Sequence, residues 1–121
     1  MSCNIPLWIL SLEFQDSLVE TLKLLRASFE LSHFMVVADE KDLISAVLKQ
    51  WCDISDPCDP PDIIFTSGGT GFSPRDVTPE ATKEILEKEA PALSTAITVG
   101  SLKIINTAML SRAVSGIRKN T

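Results

Sequence analysis

The sequence predicts an α/β domain of three layers, in which helices cover both faces of a mostly parallel central sheet. Short apolar runs typical of buried strands alternate along the chain with longer segments whose apolar residues recur every three or four positions. These longer segments are long enough for right-handed crossovers between parallel strands. At 121 residues and 45% hydrophobic, the chain is expected to form one domain over residues 1–121.

The first half of the chain yields four predicted elements. The apolar run 5–12 predicts a buried strand, and "DSLVETLKLLRASF", residues 16–29, predicts a helix capped by Asp16 or Ser17. "HFMVVA", residues 33–38, is rich in β-branched and aromatic residues and predicts a second strand. Residues 40–52 predict a second helix, whose apolar face would hold Leu43, Ile44, Val47, Leu48 and Trp51.

The second half begins with a loop and a third strand. Three prolines and three aspartates in residues 53–61 indicate a surface loop, and "DIIFT", residues 62–66, predicts a buried strand near the middle of the sheet. Thr78 and Pro79 predict the start of a helix over 79–90, with the Thr78 hydroxyl as its cap and Pro79 at its first position.

A cluster of three glycines, "SGGTG", follows the third strand. Open α/β sheets bind ligands at the carboxyl ends of their strands, and glycine lets backbone N–H groups turn toward an anion without obstruction by a Cβ atom. Ser67 and Thr70 would add hydroxyl donors, and the predicted helix would direct the positive end of its dipole at the loop. The motif is neither a Walker A loop nor a dinucleotide fingerprint, so a tight turn without function stays an alternative.

The composition argues against several classes of protein. A net charge of -5 is unfavourable for binding nucleic acid. Three cysteines without CxxC spacing suggest neither a disulfide framework nor a zinc site, and are typical of reduced thiols in the cytoplasm. The apolar run near the N-terminus is too short to span a bilayer, so no membrane span is expected.

The longer string "TSGGTGFSPRDVTPEATKEILEKEAP", followed by "GSLKI" and "MLSRAVSGIR", resembles the molybdenum-cofactor biosynthesis family that includes bacterial MogA and the G domain of gephyrin. The resemblance is firm over residues 62–118 and weaker over "HFMVVADEKDLISAVLKQWCD". It implies a molybdopterin adenylyltransferase, which transfers AMP from Mg-ATP to the terminal phosphate of molybdopterin. ATP and molybdopterin would be the substrates and Mg²⁺ the metal.

The resemblance also implies roles for single residues. Asp76 would be catalytic and would hold Mg²⁺, Gly100 and Ser101 would line the pterin side, and Arg75 or Arg112 would offset developing negative charge. The residues expected to contact substrate are Ser67, Gly68, Gly69, Thr70, Gly71, Arg75, Thr78, Gly100, Ser101 and Arg112. Simpler roles stay open: Asp76 as a cap of the turn before Thr78, and both arginines as solvated surface charges.

The chain departs from the family pattern at both ends. The glycine and loop of a D-x-S-G segment near the N-terminus are missing, the chain stops at "GIRKNT" before an L-P-G turn, and Ala113 stands where proline is usual. We therefore expect an incomplete domain with impaired AMP transfer. The alternative function is a non-catalytic module that binds molybdopterin or assembles as a homotrimer, as the G domain of gephyrin does.

Overall fold

The computed structural model describes residues 5–11, 29–54 and 61–121. Its elements, in chain order, are β1 (Ile5–Ser11), β2 (Phe29–Val36), α1 (Lys41–Cys52), β3 (Ile63–Ser67), α2 (Thr78–Ile85), β4 (Lys88–Glu89), α3 (Pro91–Leu102), the 3₁₀ helix η1 (Asn106–Leu110) and β5 (Gly116–Ile117). The predicted helix 16–29 lies outside the described residues except for Phe29, which begins β2. Cys3, Cys58 and most of the predicted loop 53–61 also lie outside them.

The main sheet is parallel, as predicted. β1 pairs in parallel with β2 on one side and with β3 on the other, which gives the order β2-β1-β3. Ser11 is in register with both Val36 and Ser67, so the three strands end at the same edge of the sheet. The α/β fold class with a parallel sheet is confirmed.

The position of β3 differs from the prediction. Of the three strands that the structure describes, β1 is central and β3 lies at one edge, so the expectation of a middle position for the strand over 62–66 is wrong for this part of the sheet. A short apolar run reports burial but not strand order, since any of the three runs could have taken the centre. All five β3 residues are partly buried.

Helix α1 confirms the prediction of a helix over 40–52 and supplies much of the core. Ile44, Leu48 and Trp51 are buried, and Val47 packs against the core from a partly buried position. Leu43 is an exception to the predicted face because 43% of its surface is exposed. The buried hydrophobic cluster within the described residues consists of Val37, Ile44, Leu48, Trp51, Cys52, Ala81 and Ile85.

Helix α2 packs on α1 but is shorter than predicted. It begins at Thr78 and not at Pro79, Val77 occupies the N-cap position, and no side chain caps the helix. The predicted capping role of the Thr78 hydroxyl is therefore wrong. The helix ends at Ile85 because Leu86 adopts an extended backbone, and residues 88–89 pair instead with β5.

The C-terminal residues connect the ends of several elements. The Arg118 guanidinium donates to both carboxylate oxygens of Asp53, at 2.9 and 2.6 Å, and to the carbonyl of Ile85 at 3.0 Å. The Thr121 hydroxyl donates to the carbonyl of Pro61 at 2.8 Å. The last residues thus join the ends of α1 and α2 to the segment that enters β3.

No helix within residues 5–11, 29–54 and 61–121 is both long enough and apolar enough to cross a lipid bilayer.

Candidate functional site

The glycine loop, residues 68–76, leaves the carboxyl edge of the sheet and returns to the first residue of α2. Gly68 and Gly69 have φ angles of 93° and 63°, in the left-handed region where a side chain is disfavoured. The carbonyl of Gly69 accepts the N–H of Thr78 at 3.2 Å. The two glycines are needed for the reversal of the chain that places the loop against the N-terminus of α2.

Gly71 meets a different constraint. A Cβ atom at this position would lie 2.8 Å from Oδ2 of Asp76, closer than such contacts allow. The absence of a side chain at Gly71 therefore makes room for the Asp76 carboxylate. The close approach of Asp76 explains why the third residue of the glycine cluster has no side chain, without any need for a ligand.

Asp76 closes a turn within the loop. Its Oδ2 accepts the N–H of Ser73 at 2.9 Å, and its own N–H donates to the carbonyl of Ser73 at 2.9 Å. The turn-closing role that the sequence left open is thus present in the structure, and it engages one carboxylate oxygen. A metal-holding role for Asp76 stays a prediction.

Arg112 is hydrogen bonded to the loop at both its main chain and its side chain. Its backbone N–H donates to the carbonyl of Thr70 at 2.9 Å, Nε donates to the carbonyl of Gly71 at 2.8 Å, and Nη2 donates to the carbonyl of Asp76 at 2.9 Å. Nη1 forms an ion pair with Glu80 in the first turn of α2. Arg112 therefore joins the loop, α2 and the segment after η1.

Arg112 and Glu80 each stabilise the charged form of the other. The hydrogen bond from Arg112 lowers the pKa of the Glu80 carboxyl group, and the same bond raises the pKa of the Arg112 guanidinium. Glu80 lies in the first turn of α2, where its negative charge also interacts favourably with the positive end of the helix dipole. The structure shows that it also faces a cation.

Two residues near the loop were missed by the sequence analysis. Ser111 donates from Oγ to Oγ1 of Thr70 at 3.2 Å, and Asp39, three residues after β2, lies 3.5 Å from Nη2 of Arg75. A carboxylate just after a predicted strand was a usable signal for Asp39, because parallel strands end at one edge. The signal for Ser111 was its position next to Arg112 in "MLSRAVSGIR", although the local sequence does not show that it would reach Thr70.

Thr78 carries an unusual hydroxyl group. The residue is 4% exposed, and Oγ1 has no hydrogen-bond partner within the described part of the chain. A buried hydroxyl without a partner is costly, which marks the N-terminus of α2 as a place where a polar ligand atom would be favourable.

Gly100 and Ser101 lie in the last turn of α3, before η1. The carbonyl of Ser101 accepts the N–H groups of Ile104 and Ile105, each at 2.9 Å, and so closes the turn that leads to η1 and on to Ser111. Ser101 is partly buried and Gly100 is exposed. The structure thus links both residues to the glycine loop through η1, and their contact with a ligand stays a prediction.

A metal ion at the loop would be held by Asp76 together with atoms of a bound substrate. In residues 5–11, 29–54 and 61–121, no group of three or more His, Cys, Asp or Glu side chains converges as a metal site would require. Mg²⁺ is commonly bound by one or two protein carboxylates together with substrate phosphates and water. Asp76 and the nearby loop fit that arrangement.

A cleft of about 370 Å³ lies elsewhere, between α1 and α2. Two of its polar groups are already paired, since Arg118 binds Asp53 and the Ser45 hydroxyl donates to the carbonyl of Ala81 at 3.0 Å. The residues that line it are Asp42, Ser45, Ala46, Lys49, Glu84, Ile85 and Arg118. Nothing in this cleft points to a ligand, and we place the candidate site at the glycine loop.

Comparison with known proteins agrees with this geometry. Residues 14–120 match the family model described as "Probable molybdopterin binding domain". The chain belongs to this family. The family model thereby confirms the resemblance that "TSGGTGFSPRDVTP" carries.

Single relatives support the same assignment. The chain is 51% identical over 86 residues to the molybdenum cofactor synthesis protein cinnamon of Drosophila melanogaster, covering 71% of this chain and 14% of that protein. It is 44% identical over 89 residues to the molybdopterin adenylyltransferase of Helicobacter pylori strain J99, covering 74% of this chain and 48% of that enzyme. The chain thus spans about half the length, or less, of these relatives.

A solved structure shares the fold. The molybdopterin biosynthesis enzyme MoaB of Thermus thermophilus superposes with a TM-score of 0.78 at 34% identity, over 94% of this chain and 75% of that one. The predicted fold class is therefore confirmed by comparison as well as by the parallel sheet.

Proposed function

We propose that this domain takes part in molybdenum cofactor biosynthesis as a molybdopterin adenylyltransferase. In that reaction an oxygen of the terminal phosphate of molybdopterin attacks the α-phosphorus of ATP. A new phosphorus–oxygen bond forms, the bond from the α-phosphorus to the bridging oxygen breaks, and pyrophosphate leaves with the electron pair. The enzyme of H. pylori carries this activity in its name.

The observation that carries the proposal is the conformation of the glycine loop. Gly68 and Gly69 adopt left-handed backbone angles at the carboxyl edge of a parallel sheet, directly beside the N-terminus of α2. Loops of this kind bind anions, because their N–H groups and the helix dipole both favour negative charge. Both substrates of the proposed reaction carry phosphate groups, which are anions of the kind that such a loop binds.

Asp76 is the proposed catalytic residue. Its carboxylate is fixed within the loop by the Ser73 N–H, at a position that Gly71 leaves open. Asp76 would hold the Mg²⁺ that accompanies ATP, which lowers the repulsion between the attacking and the accepting phosphate.

Hydroxyl groups of the site would bind phosphate oxygens. Ser67 ends β3, Thr70 lies within the loop, and the Thr78 hydroxyl lacks a partner within the described residues. Because Ser111 donates its proton to Thr70, the Thr70 hydroxyl proton can be donated to a ligand oxygen. We place Gly100 and Ser101 on the pterin side, and Arg75 near the phosphates.

The decisive experiment replaces Asp76 by asparagine. An asparagine amide oxygen still accepts the Ser73 N–H, so Asp76→Asn removes the charge and keeps the turn. AMP transfer from ATP to molybdopterin should fall at least about a hundredfold, while molybdopterin affinity measured by calorimetry changes by less than about threefold.

Its control is the variant Asp42→Asn, which removes an exposed carboxylate in the first turn of α1. This variant should transfer AMP at the rate of the unmodified chain. Full AMP transfer by Asp76→Asn would contradict the catalytic role, and an unmodified chain that binds molybdopterin without transferring AMP would favour the non-catalytic alternative.

We further propose that the domain assembles as a homotrimer. Helix α3 has no buried residue, and large apolar side chains are exposed along α3 and the 3₁₀ segment after it. They are Leu93, Ile97, Val99, Leu102, Ile104, Ile105, Met109 and Leu110. An exposed apolar surface of this extent is typical of an interface, and closed rings are a common way to cover one.

Sedimentation equilibrium tests the trimer directly. The unmodified chain should sediment at about three times 13.2 kDa, and Ile97→Asp should shift the mass toward one chain. Gln50→Lys, on the exposed side of α1, is the matched control and should leave the mass unchanged. A single-chain mass for the unmodified protein would contradict the trimer.

We place the proposed reaction in the cytoplasm, where ATP is available and thiols stay reduced. Cys52 supports this placement because it is a buried, free thiol. Burial raises the pKa of its thiol group, which keeps the group protonated and unreactive.

A further inference from the structure

We infer that Arg112 is a positioning residue, which fixes the glycine loop in the shape that the proposed reaction requires and does not itself bind substrate. The inference deepens the proposed function at the same site.

Arg112 holds both ends of the same short stretch of loop. Nε binds the carbonyl of Gly71 at 2.8 Å and Nη2 binds the carbonyl of Asp76 at 2.9 Å. Residues 72–75 form the exposed excursion between these two points. A planar guanidinium can bridge two carbonyls in fixed geometry, and this bridge sets the separation of Gly71 from Asp76.

The charge of Arg112 is already matched within the protein. Glu80 pairs with Nη1, and a second Glu80 oxygen lies 3.5 Å from Nη2. The guanidinium carbon also lies 5.6 Å from the centre of the Phe72 ring. A cation held by a carboxylate, two carbonyls and an aromatic ring has little capacity left for a phosphate ligand.

The bonds of Arg112 also favour an anion nearby. Backbone carbonyls carry partial negative charge and would repel a phosphate group, and Arg112 engages three of them, those of Thr70, Gly71 and Asp76. The same residue therefore keeps Thr70 and Asp76, the proposed binding and catalytic residues, at a fixed distance. A shift of about one ångström in such a site can cost on the order of a hundredfold in rate.

Amide hydrogen exchange without any ligand tests the positioning role. In Arg112→Lys, a single ammonium group cannot replace the fork that joins Gly71 to Asp76, so exchange at residues 71–76 should rise at least about tenfold. Exchange in α1 should stay unchanged. Arg75→Lys is the matched control, since Arg75 makes one exposed ion pair, and exchange at residues 71–76 should not change there.

Kinetics then separate positioning from binding. In Arg112→Lys, kcat for AMP transfer should fall at least about tenfold, and the KM for molybdopterin should stay within about threefold. A direct phosphate contact predicts the reverse: loop exchange unchanged and KM raised. That result would overturn the inference.

The two readouts fail independently. If the unmodified chain transfers no AMP, the proposed function fails, while faster loop exchange in Arg112→Lys still supports the positioning role. Unchanged loop exchange overturns that role whether or not the chain is active. Should Arg112→Lys prove unstable throughout, Arg112→Gln decides, because its amide can donate to only one of the two carbonyls that the guanidinium bridges. Exchange at residues 71–76 should then rise at least about tenfold relative to α1, and an equal rise in both would overturn the positioning role.

Discussion

Arg112 and Arg118 use the same chemistry in two regions of the molecule. Each donates to backbone carbonyls and pairs with one carboxylate: Arg112 with Glu80, and Arg118 with Asp53. Their surroundings differ, because the side chain of Arg118 is 16% exposed and joins the ends of two helices, whereas that of Arg112 is 30% exposed and joins a loop. We infer that Arg118 mainly stabilises the fold and that Arg112 mainly shapes the site.

The largest effect on the loop is expected from Gly71→Ala. The new methyl group would meet Oδ2 of Asp76 at 2.8 Å, and the carboxylate is the part that can move. AMP transfer should fall by about a hundredfold as Asp76 is displaced, while the far-ultraviolet circular dichroism stays unchanged.

Amide exchange provides the second readout for Gly71→Ala. The Ser73 N–H loses its acceptor when Asp76 moves, so its exchange should accelerate. Retained protection of Ser73 together with full AMP transfer would contradict the proposed contact between Gly71 and Asp76.

Because Arg118 is inferred to stabilise the fold, we expect Arg118→Met to lose thermal stability. The change removes donors to Asp53 and Ile85 and leaves the Asp53 carboxylate facing mainly Lys119. The melting temperature should fall by roughly 5 °C or more, a large effect for a domain of this size. A smaller drop for Arg118→Met than for Arg112→Met, measured side by side by calorimetry, would reverse the comparison.

The pH dependence of stability should single out the Asp53 pair. The hydrogen bond from Arg118 lowers the pKa of the Asp53 carboxyl group below its usual value. A lowered pKa in the folded state means that the stabilisation is present above the unfolded pKa, about 3.9, and is lost as the pH falls through the folded value. Asp53→Asn should therefore lower the urea midpoint at pH 7, and this effect should diminish as the pH falls below about 3.9.

The same measurement on Glu80→Gln sharpens the contrast. Arg112 also lowers the pKa of the Glu80 carboxyl group, so the sign of the pH dependence is the same. Its magnitude should be smaller because Glu80 is more exposed than Asp53, at 45% against 28% of the side-chain surface. Equal or larger pH dependence for Glu80→Gln would remove the distinction between the two pairs.

Local patterns in the sequence predicted the elements well where the pattern itself has a physical cause. The apolar period of residues 40–52 fixed α1 because one face of the helix must be buried, and the short run before the glycines marked β3. The end of α2 at Ile85 could not be predicted in this way, since it depends on pairing with β5, about thirty residues further along the chain.

The site was predictable in part for the same reason. Glycines after a strand indicated the loop, but the reason for Gly71 is the carboxylate of Asp76, and the partners of Thr70 are Ser111 and Arg112. The contacts of Thr70 join residues about forty positions apart and leave no local trace. The prediction that Thr78 caps α2 was wrong because the helix begins at Thr78 itself. The N-cap position is occupied by Val77, whose side chain cannot form a capping hydrogen bond.

The smallest expected effect is a gain in stability from Gly100→Ala, in a helix that neither arginine contacts. A Cβ atom at Gly100 would meet no heavy atom within 4 Å, unlike at Gly71. Alanine loses less backbone entropy than glycine in a helix, so the free energy of unfolding should rise by about 0.5 kcal/mol in this last turn of α3. Urea denaturation would detect the change, and a loss of stability would show that Gly100 has a structural contact.

If Gly100 lines the pterin as proposed, the same methyl group should weaken molybdopterin binding in calorimetry while the protein becomes more stable. Weaker molybdopterin binding in a more stable protein would identify Gly100 as a residue of the site. Greater stability without weaker binding would show that Gly100 is an ordinary helix position.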